Sequence, residues 1–511
     1  MISKVNSVGL TGIEGFCIGV ETDISNGVPT WEIVGMPDTA VKESKERIRT
    51  AIKNSGLLIP GRRILVNLAP ADIKKEGTCL DLPIAVGILV SSEQMFINNL
   101  SEYAFFGELS LDGTLRGIHG ALPMAITAYQ HGIKKIFLPE QNACEAAVVD
   151  GIEVYGVKSI EELVKHFTGE EYITPTKVDV KKLFKNTNEH KLDFSDVKGQ
   201  ESAKRALEIA AAGGHNILMI GPPGSGKTML AQRIPSILPD MTFEESLEVT
   251  KVHSISGRLP KDIPMITTRP FRSPHHTVSA PGLTGGGVGT PRPGEISLAH
   301  NGILFLDELP EFRKDALEVM RQPLEDGIVT ITRTGGTFSY PSDFMLVASM
   351  NPCPCGYYGD KNHDCSCSQK QIQHYLSKVS GPLLDRIDLH IEVPAVNYED
   401  LGVKSNAETS AEIKKRVDKA REIQLKRYSG TGICSNSALT AAMIDEFCGL
   451  DSDGAELLKN AFEMLGLSAR AHNRILKVAR TIADIEGKER ISKENIAEAI
   501  RYRSLDRKFW S

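Results

Sequence analysis

The pattern of apolar and polar positions divides the chain into three structured regions and a linker. Over residues 1–167, short apolar runs of the β type alternate with amphipathic helical stretches, which predicts an α/β domain. Residues 168–191 are polar with little periodicity, so we predict a linker there. Strands and helices alternate again over residues 192–394, whereas residues 395–511 are mostly amphipathic helix. The predicted fold class is therefore α/β with a helical C-terminal domain.

Composition narrows the class of protein without identifying it. The chain has 511 residues, of which 41% are hydrophobic and 24% charged, as in an ordinary soluble protein. No apolar run approaches the roughly 20 residues that span a bilayer, and the chain starts without a secretory signal. We therefore expect a cytoplasmic protein with no membrane partner. Because the net charge is −6, contact with DNA would need a local basic surface.

A glycine-rich loop is the strongest single motif. An apolar run at 216–220 precedes it and helical residues 229–233 follow it, which is the strand–loop–helix context of a phosphate-binding loop. Its backbone N–H groups are predicted to bind ATP, Lys227 to neutralise the β- and γ-phosphates, and Thr228 to coordinate Mg²⁺. The predicted nucleotide-binding residues are Gly221, Pro222, Pro223, Gly224, Ser225, Gly226, Lys227 and Thr228.

Two adjacent carboxylates supply the rest of the hydrolytic chemistry. The apolar run 303–306 predicts a buried strand that ends at Asp307 and Glu308. Carboxylates at the C-terminal edge of a parallel strand project towards the ligand crevice. We expect Asp307 to hold Mg²⁺ through water and Glu308 to polarise the attacking water. Together with the loop, this pair predicts ATP hydrolysis.

These residues resemble a known group of ATPases. The loop and the Leu-Asp-Glu strand are similar to AAA+ ATPases, and segments 271–276, 351–356 and 380–388 resemble the magnesium-chelatase-like branch of that group. More narrowly, essentially the whole chain resembles the YifB/ComM family. The resemblance implies an AAA+ core, which is a parallel sheet with helices on both faces, and a helical lid like the C-terminal domain of magnesium chelatase. It also implies a homo-oligomer, expected to be a hexameric ring, that forms on binding ATP and DNA.

The resemblance also implies roles for three residues outside the loop. Asn351 follows an apolar strand and would be the polar sensor of the γ-phosphate, although an Asn-Pro turn is the alternative. Arg386 would be an arginine finger that reaches the neighbouring subunit, or else an ion-paired surface arginine. Arg470 would be the second sensor arginine; Arg474, one helical turn on, is the fallback, and a solvated helix position is the alternative.

Two insertions are candidates for binding DNA. Residues 267–295 contain a flexible glycine run and several cations, which suits contact with a phosphate backbone in a ring pore. The alternative is an ordered loop whose cations pair elsewhere. Residues 327–340 predict a β-hairpin that, by the resemblance, would point into the pore, or else only pack between subunits. The cations of the first insertion are Arg269, Arg272, His275, His276 and Arg292, and its adjacent histidines are weak evidence of a metal site.

Four of the nine cysteines are grouped in two C-x-C pairs, Cys353 with Cys355 and Cys365 with Cys367. Four thiolates satisfy a tetrahedral Zn²⁺, so we predict a structural zinc site. Free thiols and disulfides are the open alternatives.

The N-terminal region resembles the Lon-protease-like domain, which has a ribosomal-S5-domain-2 type of α/β fold. Segments 76–87 and 105–117 carry this resemblance. Cys79 lies near the position of the Lon serine, and no lysine after Arg116 matches the Lon base. We therefore expect an inactive domain that serves as a scaffold or a DNA-binding platform.

The preferred prediction is a ring ATPase that binds single-stranded or branched DNA and, by the resemblance, is a branch-migration helicase in recombination and natural transformation. One alternative is a magnesium-chelatase subunit that drives insertion of Mg²⁺ into a porphyrin, which the fused Lon-like domain argues against. The other is a protein-remodelling AAA+ ATPase.

Overall fold

The computed structural model describes most of the chain, and nearly all of the predicted site residues lie within it. The described residues are 2–185, 192–287, 290–333, 336–360, 363–395, 408–465 and 468–503, with Leu505 and Phe509. The end of the predicted linker at 186–191, positions 288–289 of the first insertion, and Thr334 and Gly335 of the predicted hairpin lie outside them. Among the described residues, no helix has the length and apolar character needed to cross a membrane.

The N-terminal domain is built on a mixed sheet of seven strands in the order β3-β4-β2-β1-β5-β8-β9. Strand β2 is antiparallel to both of its neighbours, β1 and β4, whereas β3, β5, β8 and β9 run in the same direction as β1. The elements are β1 (Ile2–Thr11), β2 (Glu14–Ser25), β3 (Trp31–Val34), α1 (Thr39–Asn54), β4 (Arg63–Ala69), α2 (Asp81–Ser91), β5 (Tyr103–Phe105), β6 (Glu108–Leu109), β7 (Leu115–Arg116), α3 (Ala121–Gln130), β8 (Lys135–Pro139), α4 (Glu140–Ala146), β9 (Glu153–Val157) and α5 (Ile160–Thr168).

Helix α2 forms the centre of this domain. Its sequence is apolar on nearly every side, and almost all of its residues are buried between the sheet and α1. A methyl group at Gly87 would overlap the Thr22 hydroxyl, so the absence of a side chain permits close contact between helix and sheet. A short helix, α6 (Val180–Lys185), follows in the segment that connects to the next domain.

The central domain is a parallel sheet of five strands in the order β11-β14-β17-β10-β18, with helices on both faces. Strands β10, β14 and β17 are buried along their whole length, as expected of a covered parallel sheet. The elements are α7 (Glu201–Gly213), β10 (Ile217–Ile220), α8 (Lys227–Arg233), α9 (Phe243–Ile255), β11 (Phe271–Arg272), α10 (Ala280–Thr284), β12 (Gly285–Gly286), β13 (Arg292–Pro293), α11 (Glu295–Leu298), β14 (Ile303–Leu306), α12 (Lys314–Glu318), α13 (Arg321–Asp326), β15 (Ile328–Arg333), β16 (Gly336–Pro341), β17 (Met345–Met350), α14 (Gln369–Leu376), α15 (Gly381–Leu384) and β18 (Leu389–Glu392).

The C-terminal region is helical, and it shares one hydrophobic core with a face of the central sheet. Buried Asp484 accepts hydrogen bonds from Arg427, Arg480 and Asn436, which ties three segments of the region together. The mixed α/β architecture with a helical C-terminal region confirms the predicted fold class. The helices are α16 (Ser410–Arg427), α17 (Ala441–Phe447), α18 (Ser452–Leu465), α19 (Ala469–Ile485) and α20 (Lys493–Arg501).

The N-terminal domain packs directly on the central domain. Leu122 and Val148 of the first domain form a buried apolar cluster with Met265 of the second. Beside this cluster, the Ser254 hydroxyl of α9 donates a hydrogen bond to buried Glu145. Burial of apolar surface and of a satisfied polar contact indicates a fixed interface.

Candidate active site

The glycine-rich loop connects β10 to α8 and forms the floor of an open cavity of about 420 Å³, which we call the P-loop cavity. Gly224 and Gly226 adopt left-handed backbone angles, with φ of 74° and 85°, which residues with a Cβ rarely adopt. These angles fold the loop back over the start of α8, so that the helix N-terminus faces the cavity. The lining residues are Pro223, Gly224, Ser225, Gly226, Lys227, Thr228, Met229, Asp307, Glu308, Ser349, Met350 and Asn351.

Lys227 lies at the centre of the cavity. Its Nζ donates hydrogen bonds to the Gly221 and Pro222 carbonyl oxygens at 2.8 and 2.9 Å, and it lies 3.3 Å from Asn351 Oδ1. Burial lowers the pKa of Lys227 below its usual value, while the nearby carboxylates of Asp307 and Glu308 act in the opposite direction. The structure thus brings the loop lysine and the predicted sensor asparagine, which directly follows β17, into contact.

Asp307 ends β14 directly opposite Thr228. The Thr228 hydroxyl donates a 2.8 Å hydrogen bond to Asp307 Oδ2, and the Ser349 hydroxyl and the Glu308 N–H donate to Oδ1. A hydroxyl oxygen and a carboxylate oxygen from separate elements therefore meet at one edge of the cavity, and oxygen atoms of this kind could hold Mg²⁺ beside phosphates.

Glu308 has an unusual backbone and a partner that the sequence did not reveal. Its φ is 54°, a left-handed value that is uncommon for a residue with a side chain. His276 Nδ1 lies 3.3 Å from Glu308 Oε2, and the His276 ring also lies edge-on to Phe312. His276 comes from the first insertion. Its motif is part of the family resemblance, but no spacing in the sequence places it beside Glu308.

Arg386 and Arg470 do not line the P-loop cavity. Arg386 pairs with the Glu325 carboxylate and donates to the Pro382 carbonyl at 2.6 Å, and Arg470 lies 3.6 Å from the same carboxylate. Hydrogen bonding from Arg386, with the added charge of Arg470, holds the pKa of Glu325 below its usual value. We call Arg386, Arg470 and Glu325 the Glu325 cluster.

Arg474, the fallback for Arg470, has a different environment. It pairs with the buried carboxylate of Asp388, which also accepts a 3.0 Å hydrogen bond from the Asn216 N–H and lies 3.5 Å from His215. Although burial alone would raise it, the Arg474 guanidinium and the His215 ring hold the pKa of Asp388 well below its usual range. This ion pair joins helix α19 to the central domain.

The first insertion and the hairpin pack against each other. The hairpin is present as the sequence predicts, with β15 antiparallel to β16 and one face buried. A methyl group at Gly286 of the insertion would lie 3.6 Å from Arg333 of the hairpin. In the insertion, Arg269 pairs with Glu245 at 3.0 Å and Arg272 pairs with Glu295 at 2.6 Å. These two cations therefore pair within the chain, as the alternative interpretation of the insertion expected.

The four grouped cysteines converge behind the sensor asparagine. The Sγ atoms of Cys353, Cys355, Cys365 and Cys367, the cysteine cluster, all lie within 4.8 Å of one another. In the N-terminal domain, by contrast, Cys79 is isolated, and burial raises the pKa of its thiol to about 12. A thiol that stays protonated at neutral pH is a poor nucleophile.

A phosphate loop between β10 and α8, paired carboxylates after β14 and a polar residue after β17 define a P-loop ATPase of the AAA+ type. Family models described as "Magnesium chelatase, subunit ChlI", "Subunit ChlI of Mg-chelatase" and "Magnesium chelatase, subunit ChlI C-terminal" match residues 193–401, 20–142 and 407–503. The chain belongs to the magnesium-chelatase-like YifB/ComM family.

Similarity over nearly the full length supports this assignment. The chain is 44% identical over 510 residues to Competence protein ComM of Haemophilus influenzae, an alignment that covers 99% of this chain and 98% of that protein. It is also 44% identical over 513 residues to YifB of Escherichia coli, with the same coverage. The chain is 29% identical over 165 residues to the magnesium-chelatase 67 kDa subunit of Chlorobaculum parvum, an alignment that covers 31% of this chain and 23% of that protein.

Proposed function

We propose that the chain is the subunit of a ring-shaped, ATP-driven motor that remodels DNA, and that it acts as a branch-migration helicase in recombination and natural transformation. Two arguments support DNA as the object moved. The family resemblance implies branch migration, and the full-length relative from Haemophilus influenzae is named as a competence protein. The short, partial similarity to a magnesium-chelatase subunit gives less support to the porphyrin alternative.

In this proposal the P-loop cavity binds ATP and Mg²⁺. The backbone N–H groups of the loop bind phosphate oxygens, and Lys227 exchanges its carbonyl partners for the β- and γ-phosphates. Thr228 and Asp307, which already share a hydrogen bond, would hold Mg²⁺ directly and through water. The bound metal supplies charge neutralisation at the phosphates. Glu308 orients and polarises the attacking water, and Asn351 positions it beside the γ-phosphate.

A second copy of the chain completes the site. Arg386 and Arg470 are held together on Glu325, outside the P-loop cavity of their own chain. In a hexamer, both would face the γ-phosphate bound by the neighbouring subunit, where a guanidinium stabilises the charge that develops during phosphoryl transfer. Glu325 keeps the two arginines oriented until the neighbour is loaded.

The contact between His276 and Glu308 is the observation that carries the proposed motor action. His276 belongs to the first insertion, which packs on the hairpin at Arg333, and its ring reaches Glu308 in the P-loop cavity. Movement of the insertion on DNA therefore moves a group that touches the hydrolytic glutamate. This arrangement couples DNA binding by the insertion to ATP hydrolysis. His276 is the residue that positions Glu308 in response to DNA.

The N-terminal domain serves as a scaffold or DNA-binding platform without peptidase activity. Desolvation raises the pKa of the partly buried Cys79 thiol to about 12, which favours the protonated form at neutral pH. The neighbouring Asp81 forms a bidentate pair with Arg47 at 2.9 and 3.0 Å. Neither group is positioned to generate a nucleophile.

The test is the ATPase rate of the purified full-length protein without DNA and with single-stranded DNA, duplex or a synthetic four-way junction. We expect stimulation of several-fold, largest with branched or single-stranded DNA and reduced by added salt. Glu308→Gln serves as the inactive control. If no DNA binds or stimulates, the alternatives are a protein-remodelling ATPase or a chelatase-like subunit that drives insertion of Mg²⁺ into a porphyrin.

A further inference from the structure

The cysteine cluster has the composition and shape of a closed metal site. Its four Sγ atoms come from two strictly local pairs, yet all of them lie within 4.8 Å of one another. The measured separations are 3.3 Å for Cys353–Cys355, 3.7 Å for Cys353–Cys365 and 3.6 Å for Cys355–Cys365. Four sulfurs at about 2.3 Å from a tetrahedral Zn²⁺ would lie about 3.8 Å apart. A disulfide holds its two sulfurs about 2.05 Å apart, whereas all four cysteines of the cluster are free in the structure.

The apolar core of the central domain partly shields the cluster from solvent. Cys353 is fully buried and the other three cysteines are half-buried against the apolar core of the central domain, which limits access of solvent and oxidants.

The cluster also contacts the P-loop cavity. Cys353 lies two positions after Asn351 in the sequence, and Cys355 is followed by Gly356, whose φ is 90°. A methyl group at Gly356 would overlap the Pro223 ring, so the cysteine-bearing segment lies directly on the glycine-rich loop. Whatever fixes this segment therefore fixes both the sensor and the loop.

We propose that Cys353, Cys355, Cys365 and Cys367 bind one structural Zn²⁺, and that the metal holds Asn351 and the glycine-rich loop in place for nucleotide binding. With four protein ligands the site is closed, so the metal is not catalytic. The metal site is independent of the proposed function, whereas its effect on nucleotide affinity rests on it.

The test begins with metal content, which requires neither ATPase activity nor DNA. Full-length protein purified without chelators is analysed by mass spectrometry for zinc and iron, beside Cys365→Ser and the control Cys144→Ser, whose thiol is exposed in the N-terminal domain. We expect about one zinc per chain in the parent and the control, and loss of most of it in Cys365→Ser. Iron in place of zinc, or no metal in the parent, overturns the proposal.

A second measurement avoids variants that fail to fold. Protein produced in cobalt-supplemented medium should show the visible d–d absorption of tetrahedral cobalt thiolate, and absence of this signature contradicts a four-thiolate site. Stripping the parent with a chelator should weaken binding of a fluorescent ATP analogue by about 5-fold or more, a typical coupling between two sites. Unchanged affinity in a metal-free chain would leave the zinc but overturn its proposed effect on the P-loop cavity.

Discussion

The P-loop cavity and the Glu325 cluster differ in how complete they are within one chain. In the cavity, Lys227 contacts Asn351 and Thr228 contacts Asp307, so the groups proposed to bind nucleotide already meet. In the cluster, Arg386 and Arg470 share a single, half-exposed carboxylate and line no part of that cavity. Under the proposed function, one chain carries the groups that bind ATP, including Lys227, whereas no arginine among the described residues lines the P-loop cavity. If Arg386 acts on the nucleotide of a neighbouring subunit, as proposed, hydrolysis depends on assembly.

The largest expected effect on ATPase turnover comes from a substitution in the Glu325 cluster. Arg386→Ala should lower the ATPase turnover by about 10³-fold, because an arginine finger supplies charge stabilisation of that size. Binding of a fluorescent ATP analogue should change little, since Arg386 does not line the cavity of its own chain.

Arg49→Ala is the matched control for that variant. Arg49 likewise lies near a glutamate, 3.9 Å from Glu46, but it is more exposed than Arg386 and lies in the N-terminal domain. Equal loss of turnover in both variants would point to a general charge effect and contradict the proposed finger.

Substitution of Glu308, in the P-loop cavity, should lower turnover without loss of nucleotide binding. Glu308→Gln should lower turnover by about 10²- to 10³-fold, the contribution of a positioned general base, while ATP stays bound. Because the substitution preserves size, nucleotide affinity measured in the presence of Mg²⁺ should be retained. Glu311→Gln, which alters an exposed acid on the next turn, should keep normal turnover. Normal turnover in Glu308→Gln would mean that another group activates water.

Arg474 and Arg470 lie on the same helix, α19, but their substitution should lower the free energy of unfolding by different amounts. Arg474→Ala leaves the Asp388 carboxylate buried without its main counter-charge, and should lower the free energy of unfolding by about 3 kcal/mol. Arg470→Ala breaks only an exposed contact, so stability should fall by less than about 1 kcal/mol. Thermal or urea unfolding of both variants tests the difference.

The stability deficit of Arg474→Ala should also depend on pH. The folded-state pKa of Asp388 lies below its unfolded value, so its contribution is complete above the unfolded pKa of about 4. It declines as the pH falls towards the folded pKa. The difference between parent and variant should therefore be largest near neutral pH and shrink in acid. A deficit independent of pH would contradict the assigned role of the ion pair.

The smallest expected effect concerns His276. Because it contacts Glu308 at the far side of the cavity, His276→Ala should raise the DNA-free ATPase rate by about 3-fold, the value of one modest hydrogen bond. Stimulation by DNA should shrink by a similar factor. His374→Ala, at an exposed position of helix α14, should change neither rate. Unaltered stimulation in His276→Ala would remove the proposed link between insertion and hydrolysis.

Groups that are contiguous in the sequence were predictable, because the chain itself enforces their proximity. The glycine-rich loop, the Asp307–Glu308 pair and the two C-x-C pairs belong to this class. The assignment of the chain to its family and the fold class are confirmed, whereas the roles of individual site residues stay predictions.

Contacts between distant segments could not be predicted in the same way. His276 reaches Glu308, and Arg269 reaches Glu245, only through the packing of the insertion on the sheet. Arg386 and Arg470 meet at Glu325 because helix α19 lies beside α13, which no periodicity in either segment encodes. Charge in the insertion indicated a phosphate-binding surface. Two of its arginines, Arg269 and Arg272, pair with carboxylates within the chain, and contact of the insertion with DNA stays a prediction.

The division of the site between subunits is tested most directly by mixing two inactive variants. Arg386→Ala keeps an intact P-loop cavity, and Lys227→Ala keeps an intact Glu325 cluster. In a mixed ring, some interfaces therefore join an intact cavity of one subunit to an intact cluster of its neighbour. We predict that each variant alone has almost no ATPase activity and that the mixture regains a substantial part of it. Persistent inactivity of a mixture shown to co-assemble, or normal activity of Arg386→Ala alone, would contradict completion of the site by a neighbouring subunit.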